Sequence, residues 1–266
     1  MILFSINNMT QKLNTNTDCY CGETIDIDCV LNDCIEVAAQ YGWIVEKIFV
    51  PNEKELIVLK REYEAPQRRI YISAGIHGDE PAGPLAVLEL LKQNVWPENI
   101  NFHILPCLNP HGFKNNTREN EDCIDLNRDY YHCNAPEICA HVEWLDKSPD
   151  YDLTLCLHED WDAKGFYLYE AMHPKHASIA NQILDGVRPT FPIDDSEEID
   201  GYPAVNGIMG VPSDLHTLKH WPESMYLFEK KKLLNYTLET ASDFPLQCRV
   251  KAMCAAVKAA IETLRK

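Results

Sequence analysis

Three polar clusters stand where strand-like runs give out, and their residue types are those of metal-assisted hydrolysis. The first is His77-Gly78-Asp79-Glu80, just after the apolar run ending at Ala74 and just ahead of Pro81, which is placed to open a helix. An imidazole and a carboxylate can each lend one atom to zinc, and Gly78 permits the tight backbone path between them. The second is His158-Glu159-Asp160, after the run 152–157. His158 can complete a set of two histidines and one carboxylate, leaving the fourth position for water. The gaps, 80 − 77 = 3 and 158 − 80 = 78, suit a site assembled from two strand ends, and no His-Glu-x-x-His helix is present. His-x-x-Glu is short enough to arise by chance, and a lone histidine at a strand end is ordinarily just hydrogen-bonded. Neither cluster carries the assignment alone.

The third cluster occupies a long polar loop that runs to Tyr131: Asn109-Pro110-His111-Gly112, then Arg118, then Asp125-Leu126-Asn127-Arg128. Two arginines beyond a strand end suit an anion, because a guanidinium grips a carboxylate as a bidentate fork. The plainer alternative pairs Arg128 with Asp125 or Asp129 to pin the loop. Near the C-terminus, Tyr236-Thr237-Leu238-Glu239-Thr240 puts Glu239 at the end of the last apolar run, as a general base or as a solvated strand-end residue.

The elements that must position these groups are legible from periodicity. Residues 25–41 carry apolar side chains at helical spacing, with Gly42 placed to stop the helix. Strands are expected at 43–50, 55–60, 69–74, 102–106, 152–157 and 234–239, and helices at 82–92, 136–146, 174–187 and 246–264. The stretch 188–235 is rich in Pro, Gly and Asp and gives only short apolar pieces; within it, Glu229-Lys230-Lys231-Lys232 reads as a solvated turn. Alternating strands and helices imply an α/β fold, a single domain over residues 1–266 with a mixed, mostly parallel central sheet flanked by helices. Residues 1–65 would supply the first helix and edge strands, and 66–266 the motif-bearing core. Ligands of such sheets bind beyond the carboxyl ends of the strands, where all three clusters fall.

Composition sets the outer limits. The chain has 266 residues, 45% hydrophobic and 24% charged, which is the make-up of a folded globular protein. Lys+Arg 24 against Asp+Glu 41 gives −17, which argues against nucleic acid or an anionic membrane as partner. No run of about 18 apolar residues is present to span a bilayer. The N-terminus lacks the basic region of a signal peptide, so a cytoplasmic location is expected. The eleven cysteines, an odd number with several in apolar runs, read as reduced, buried thiols. The group Cys19, Cys21, Cys29 and Cys34 matches no common zinc module.

Taken together, the clusters resemble the zinc carboxypeptidase family of metallopeptidases: His-x-x-Glu after a strand, Asn-Pro-x-Gly, Arg, Asp-x-Asn-Arg, a lone His after another strand and a late Thr-x-Glu-Thr, in that order over residues 70–240. Thr117-Arg118-Glu119-Asn120 followed by Asp125-Leu126-Asn127-Arg128 most resembles the bacterial subgroup that includes murein-peptide amidases. The resemblance implies one zinc ion held by His77, Glu80 and His158. It implies that Arg118 stabilises the oxyanion, that Asn127 and Arg128 clamp a terminal carboxylate, and that Glu239 is general base and acid. The family's substrate-covering tyrosine has no motif here; of Tyr202 and Tyr226, the latter is preferred. The implied substrate is a peptide or an acylated amino acid.

Three alternatives stand beside this reading. Acylamino-acid deacylases of the aspartoacylase and succinylglutamate desuccinylase type share the metal motif but carry a β-rich domain after the catalytic Glu, where 266 − 239 leaves 27 residues. A two-metal aminopeptidase would use Asp79, Glu159 and Asp160 as bridging ligands. An inactive peptide-binding module could use the same fold.

Overall fold

A computed structural model of the chain describes residues 11–16, 20, 22–51, 54–173, 176–210, 219–231 and 234–265. In chain order the elements are α1 (Ile27–Gln40), β1 (Ile44–Val50), β2 (Lys54–Arg61), β3 (Arg68–Ala74), α2 (Ala82–Gln93), β4 (Ile100–Leu105), α3 (Pro110–Asn115), α4 (Pro136–Lys147) and β5 (Leu153–Asp160). There follow β6 (Tyr167–Ala171), α5 (Ala180–Val187), β7 (Glu198–Ile199), β8 (Tyr202–Val205), β9 (Ile208–Gly210), α6 (Glu223–Lys231), β10 (Leu234–Ala241) and α7 (Leu246–Arg265).

The strands form one ten-stranded mixed sheet in the order β1-β2-β4-β3-β5-β10-β6-β9-β8-β7. Its centre, β4-β3-β5-β10, is parallel throughout, and both wings are antiparallel apart from the β6–β9 pair. Alternation along the central strands divides the core. Ile70 and Ile72 of β3, Leu153, Leu155 and Leu157 of β5, and Leu234, Tyr236 and Leu238 of β10 face the layer of α1, α2, α5 and α7. The one polar atom in this row, the Tyr236 hydroxyl, is satisfied by donating to Glu170 (2.7 Å). The opposite face carries Tyr71, Cys156 and a polar layer beneath α4 and α6. Thr154 and Asn235 are joined there across β5 and β10 at 2.6 Å.

Most elements lie where periodicity puts them, and the differences have physical causes. β5 continues to Asp160, so His158 sits on the strand and not after it, because pairing with β10 runs on through Glu159–Thr240 and Asp160–Ala241. The helix expected over 174–187 is described only as α5, from Ala180, and residues 174 and 175 lie outside the described residues. β6 has no counterpart among the expected strands; it is short, with tyrosines at alternate positions. Lys231 does not lie in a solvated turn: it ends α6, is buried, and donates from Nζ to the Ser148 carbonyl at 2.8 Å. Lys232 lies outside the described residues.

The nine described cysteines are free thiols; Cys34, Cys107, Cys156, Cys248 and Cys254 are buried, while Cys29, Cys123 and Cys139 are exposed. Cys19 and Cys21 lie outside the described residues. Among the described residues no helix is long and apolar enough to cross a membrane.

Candidate metal centre

The loop between β3 and α2 leaves the sheet at Gly75, in the left-handed region at φ 62°, and carries His77 and Glu80. It is pressed against the start of α3: a Cβ on Gly78 would lie 2.0 Å from the Gly112 carbonyl carbon. Gly78→Ala is therefore expected to lower thermal stability and zinc affinity together. A melt and a zinc titration check this, and wild-type values in both would contradict it.

The Asn-Pro-x-Gly motif builds the facing surface. Asn109 caps α3 by accepting from the Gly112 N–H (2.9 Å), and its amide donates to the Arg118 carbonyl (3.2 Å). Asp125 then caps the short 3-10 turn Leu126–Arg128, accepting from Asn127 N–H (2.9 Å) with one oxygen and from Arg118 Nε (2.9 Å) with the other. Its Oδ1 also lies 3.4 Å from His77 Nε2. Burial raises the Asp125 carboxyl, but His77 and then Arg118 hold it well below the usual carboxylate range.

The three sequence-derived ligands meet. One ligand atom from each of His77, Glu80 and His158 lies within 4.8 Å of the others, and all three residues are buried. His77 Nδ1 is 2.5 Å from Glu80 Oε1, and His158 Nδ1 is 3.0 Å from Glu80 Oε2. Burial works against the Glu80 charge, and the two histidines outweigh it, holding the carboxyl well below its ordinary value. His77 Nδ1 also faces Arg118 Nη1 at 3.2 Å. Guanidinium only donates and carboxylate only accepts, so a neutral ring nitrogen cannot satisfy both partners. A cation at the focus of these atoms would take the facing lone pairs of His77 Nδ1 and Glu80 Oε1 together, leaving Arg118 its bond to Asp125 through Nε, and two imidazoles with one carboxylate are a zinc donor set. The residues fit the metal.

Behind the ligands lies a buried clamp. The Glu159 N–H donates to Glu80 Oε2 (3.1 Å), and the Glu159 carboxylate accepts from Ala82 N–H (2.5 Å) at the start of α2. Arg249, fully buried on α7, donates to Glu159, to Glu23 and, through Nε, to the Phe244 carbonyl at 2.8 Å. Sequence reasoning missed Arg249; a charge on the inner face of an otherwise apolar helix was the available signal. Of the three carboxylates a two-metal site would use as bridges, Glu159 and Asp160 carry a hydrogen bond on each oxygen, while among the described residues the buried Oδ1 of Asp79 accepts none. Both Glu159 oxygens are engaged, and Asp160 accepts from Asp162 N–H (2.9 Å) and Tyr167 O–H (3.0 Å).

In front of the ligands opens a cavity of about 810 Å³, lined by Arg118, Asn127, Arg128 and Glu239 among others. Glu239 and His158 are register partners on β10 and β5 and share the cavity face. Burial, followed by the negative charges of Glu80 and Asp160, pushes the Glu239 carboxyl well above its ordinary value, against the pull of Arg118. Among the described residues Arg128 forms no ion pair with Asp125 or Asp129; its Nη1 donates to the Asn127 carbonyl at 2.9 Å, and its charge helps hold the Asp125 carboxyl down. The preference for Tyr226 is corrected: its hydroxyl donates to Asp146 (2.5 Å), its ring packs on Tyr130, and it does not line the cavity. Tyr202 lines it, as do Tyr167 and Tyr169 from β6.

This mixed α/β sheet flanked by helices is the fold of solved metallocarboxypeptidases, and the chain has that fold. Metallo-carboxypeptidase from Burkholderia cenocepacia superposes with a TM-score of 0.72 at 16% identity, over 91% of this chain and 70% of that one. A protein described as a candidate metallopeptidase from Shewanella denitrificans OS217 does so with a TM-score of 0.78 at 22% identity, over 93% and 98%.

Residues 66–182 match the family model for the succinylglutamate desuccinylase/aspartoacylase catalytic domain, a span holding every proposed ligand and both arginines but not Glu239. Carboxypeptidase SOL1 of Arabidopsis thaliana is 35% identical over 105 residues, which are 32% of this chain and 21% of that protein. The chain thus spans about one fifth of that curated relative's length.

Proposed function

We propose that the protein is a zinc-dependent hydrolase that cleaves an amide bond beside a terminal residue bearing a free carboxylate. The observation that carries this reading is the convergence of His77, Glu80 and His158 with Arg118 and Glu239 at one cavity. Zinc held by the first three would supply Lewis acidity, lowering the pKa of water to about 7 and polarising a carbonyl. Glu239 takes a proton from the attacking water and later returns it to the departing amine nitrogen. Arg118 donates to the carbonyl oxygen as negative charge gathers there. Asn127 and Arg128 hold the substrate carboxylate. The C–N bond breaks, hydroxyl is added to the acyl carbon and hydrogen to the amine.

The cavity wall on β6 supports a cationic side chain as the preferred one. Tyr167 and Tyr169 stand 5.6 Å apart, centroid to centroid, and donate to Asp160 and Asp200 respectively, each at 3.0 Å. Two aromatic faces between two carboxylates attract an ammonium or guanidinium group. Incubation of zinc-loaded protein with a mixed peptide pool is expected to release single C-terminal residues, Lys and Arg fastest, with chelator abolishing release. Mass spectrometry reads the outcome; trimming unaffected by chelator would sink the zinc reading.

A second reading, removal of an acyl group from an amino acid, is favoured by the family model matching residues 66–182. Faster hydrolysis of N-acetyl or N-succinyl amino acids than of any peptide would put it first.

A further inference from the structure

Beneath the cavity lies a buried carboxylate that the reaction does not use. Glu223, the first residue of α6, is 1% exposed, and among the described residues no countercharge touches it. Its Oε1 accepts from Tyr71 O–H (2.6 Å) and its Oε2 from Ser73 O–H (2.7 Å), both on β3. Tyr71's oxygen lies 3.0 Å from His141 Nε2, and His141 Nδ1 lies 2.8 Å from the Tyr130 hydroxyl.

The donor directions are fixed by chemistry. Ionised Glu223 only accepts, so Tyr71 must donate to it and must accept from His141 Nε2–H. A neutral imidazole then presents Nδ1 as the acceptor for Tyr130. Burial keeps His141 neutral, pulling it down to about 3, and pushes Glu223 up to about 6. Tyr130 N–H donates to the Trp221 carbonyl (3.3 Å), and Glu223 N–H donates to Asn127 Oδ1 (2.9 Å). The circuit therefore closes on itself, joining segment 127–130 to segment 221–223 and seating both on β3.

We infer that Glu223 is a positioning residue for substrate binding, fixing the Asn127 amide with its oxygen turned away and its NH₂ turned to the cavity. This rests on the proposed role of Asn127 in holding a carboxylate. A backbone N–H can only donate, so the atom facing Glu223 must be the Asn127 oxygen. Its two N–H groups are left for an anion, beside Arg128. An uncompensated buried carboxylate is otherwise expensive, and apolar side chains of similar volume would fill the layer more cheaply.

The test uses zinc-loaded Tyr71→Phe and Glu223→Gln, with a peptide bearing a free C-terminal carboxylate and the same peptide as its carboxamide. Both variants should raise KM for the free carboxylate by about tenfold with kcat within about twofold, the pattern of lost ground-state binding. Zinc affinity and carboxamide turnover should not move, whereas a general loosening of the fold would move all four. Wild-type KM in both variants overturns the inference. If Glu223→Gln does not fold, Tyr71→Phe decides alone, since it removes one hydroxyl and keeps the ring. If the wild type itself does not distinguish carboxylate from carboxamide, the carboxylate-clamp reading fails. Hydrogen exchange then tests the circuit: in Tyr71→Phe, segments 126–131 and 219–224 should gain exchange together, and independent behaviour overturns it.

Discussion

Glu239→Gln is expected to lower kcat by about 10²–10⁴-fold, the range for a positioned general acid–base. Zinc stoichiometry and melting temperature should stay at wild-type values, since Gln keeps the side chain's shape. The pH profile adds a second readout. The base acts in its ionised form, and burial and neighbouring carboxylates raise its pKa. Wild-type kcat/KM should therefore fall as pH drops through that raised value, and the limb should be absent from the residual activity of the variant. Zinc on Glu80 offsets one of the repulsive charges, while burial and Asp160 remain. Steady-state kinetics between about pH 4 and about pH 9 would decide, and activity within about tenfold of wild type would remove Glu239 from the mechanism.

The second large effect concerns stability. Arg249→Met strips the countercharge from Glu159, whose side chain is fully buried, and breaking such a pair costs about 3–5 kcal/mol. Because Glu159 also holds Ala82 N–H and, through its own N–H, the proposed ligand Glu80, zinc affinity should fall with stability. Urea denaturation of the metal-free protein measures the first and competition with a chromogenic chelator the second. Adding Glu159→Gln to Arg249→Met should recover part of the loss, because the uncompensated charge is then gone. A loss below about 1 kcal/mol would show that water reaches Glu159 in the variant.

Much of this was legible in the sequence, for reasons that differ between residues. β3, β5 and β10 are apolar runs bounded by polar clusters, so both the strands and the chemistry at their ends could be read. The candidate ligand set was legible because each motif has a local geometric need: Gly78 for close approach, Asn109 for a cap, Asp125 for a turn. What escaped depends on partners distant in the chain. Arg249 meets Glu159 and Glu23, 90 and 226 residues away, and no spacing rule joins them. Glu223 looks like an ordinary acidic first-turn residue until Tyr71 and Ser73 are set beneath it. Tyr226 has helical neighbours on both sides, and only packing against Tyr130 decides that it faces inward.

The pairing of β5 with β10 fixes a length that the rest of the molecule cannot adjust. His158 and Glu239 are opposite one another in register, so their backbones are separated by the interstrand spacing of about 4.8 Å. The backbone interval between the proposed metal ligand and the proposed proton carrier is thus a lattice constant of the sheet. Segments such as 198–210 and 219–225, which contribute cavity walls from outside the central strands, carry no share in setting it. Sequence drift in those walls can change which side chain is accepted while leaving the bond-breaking geometry as it was.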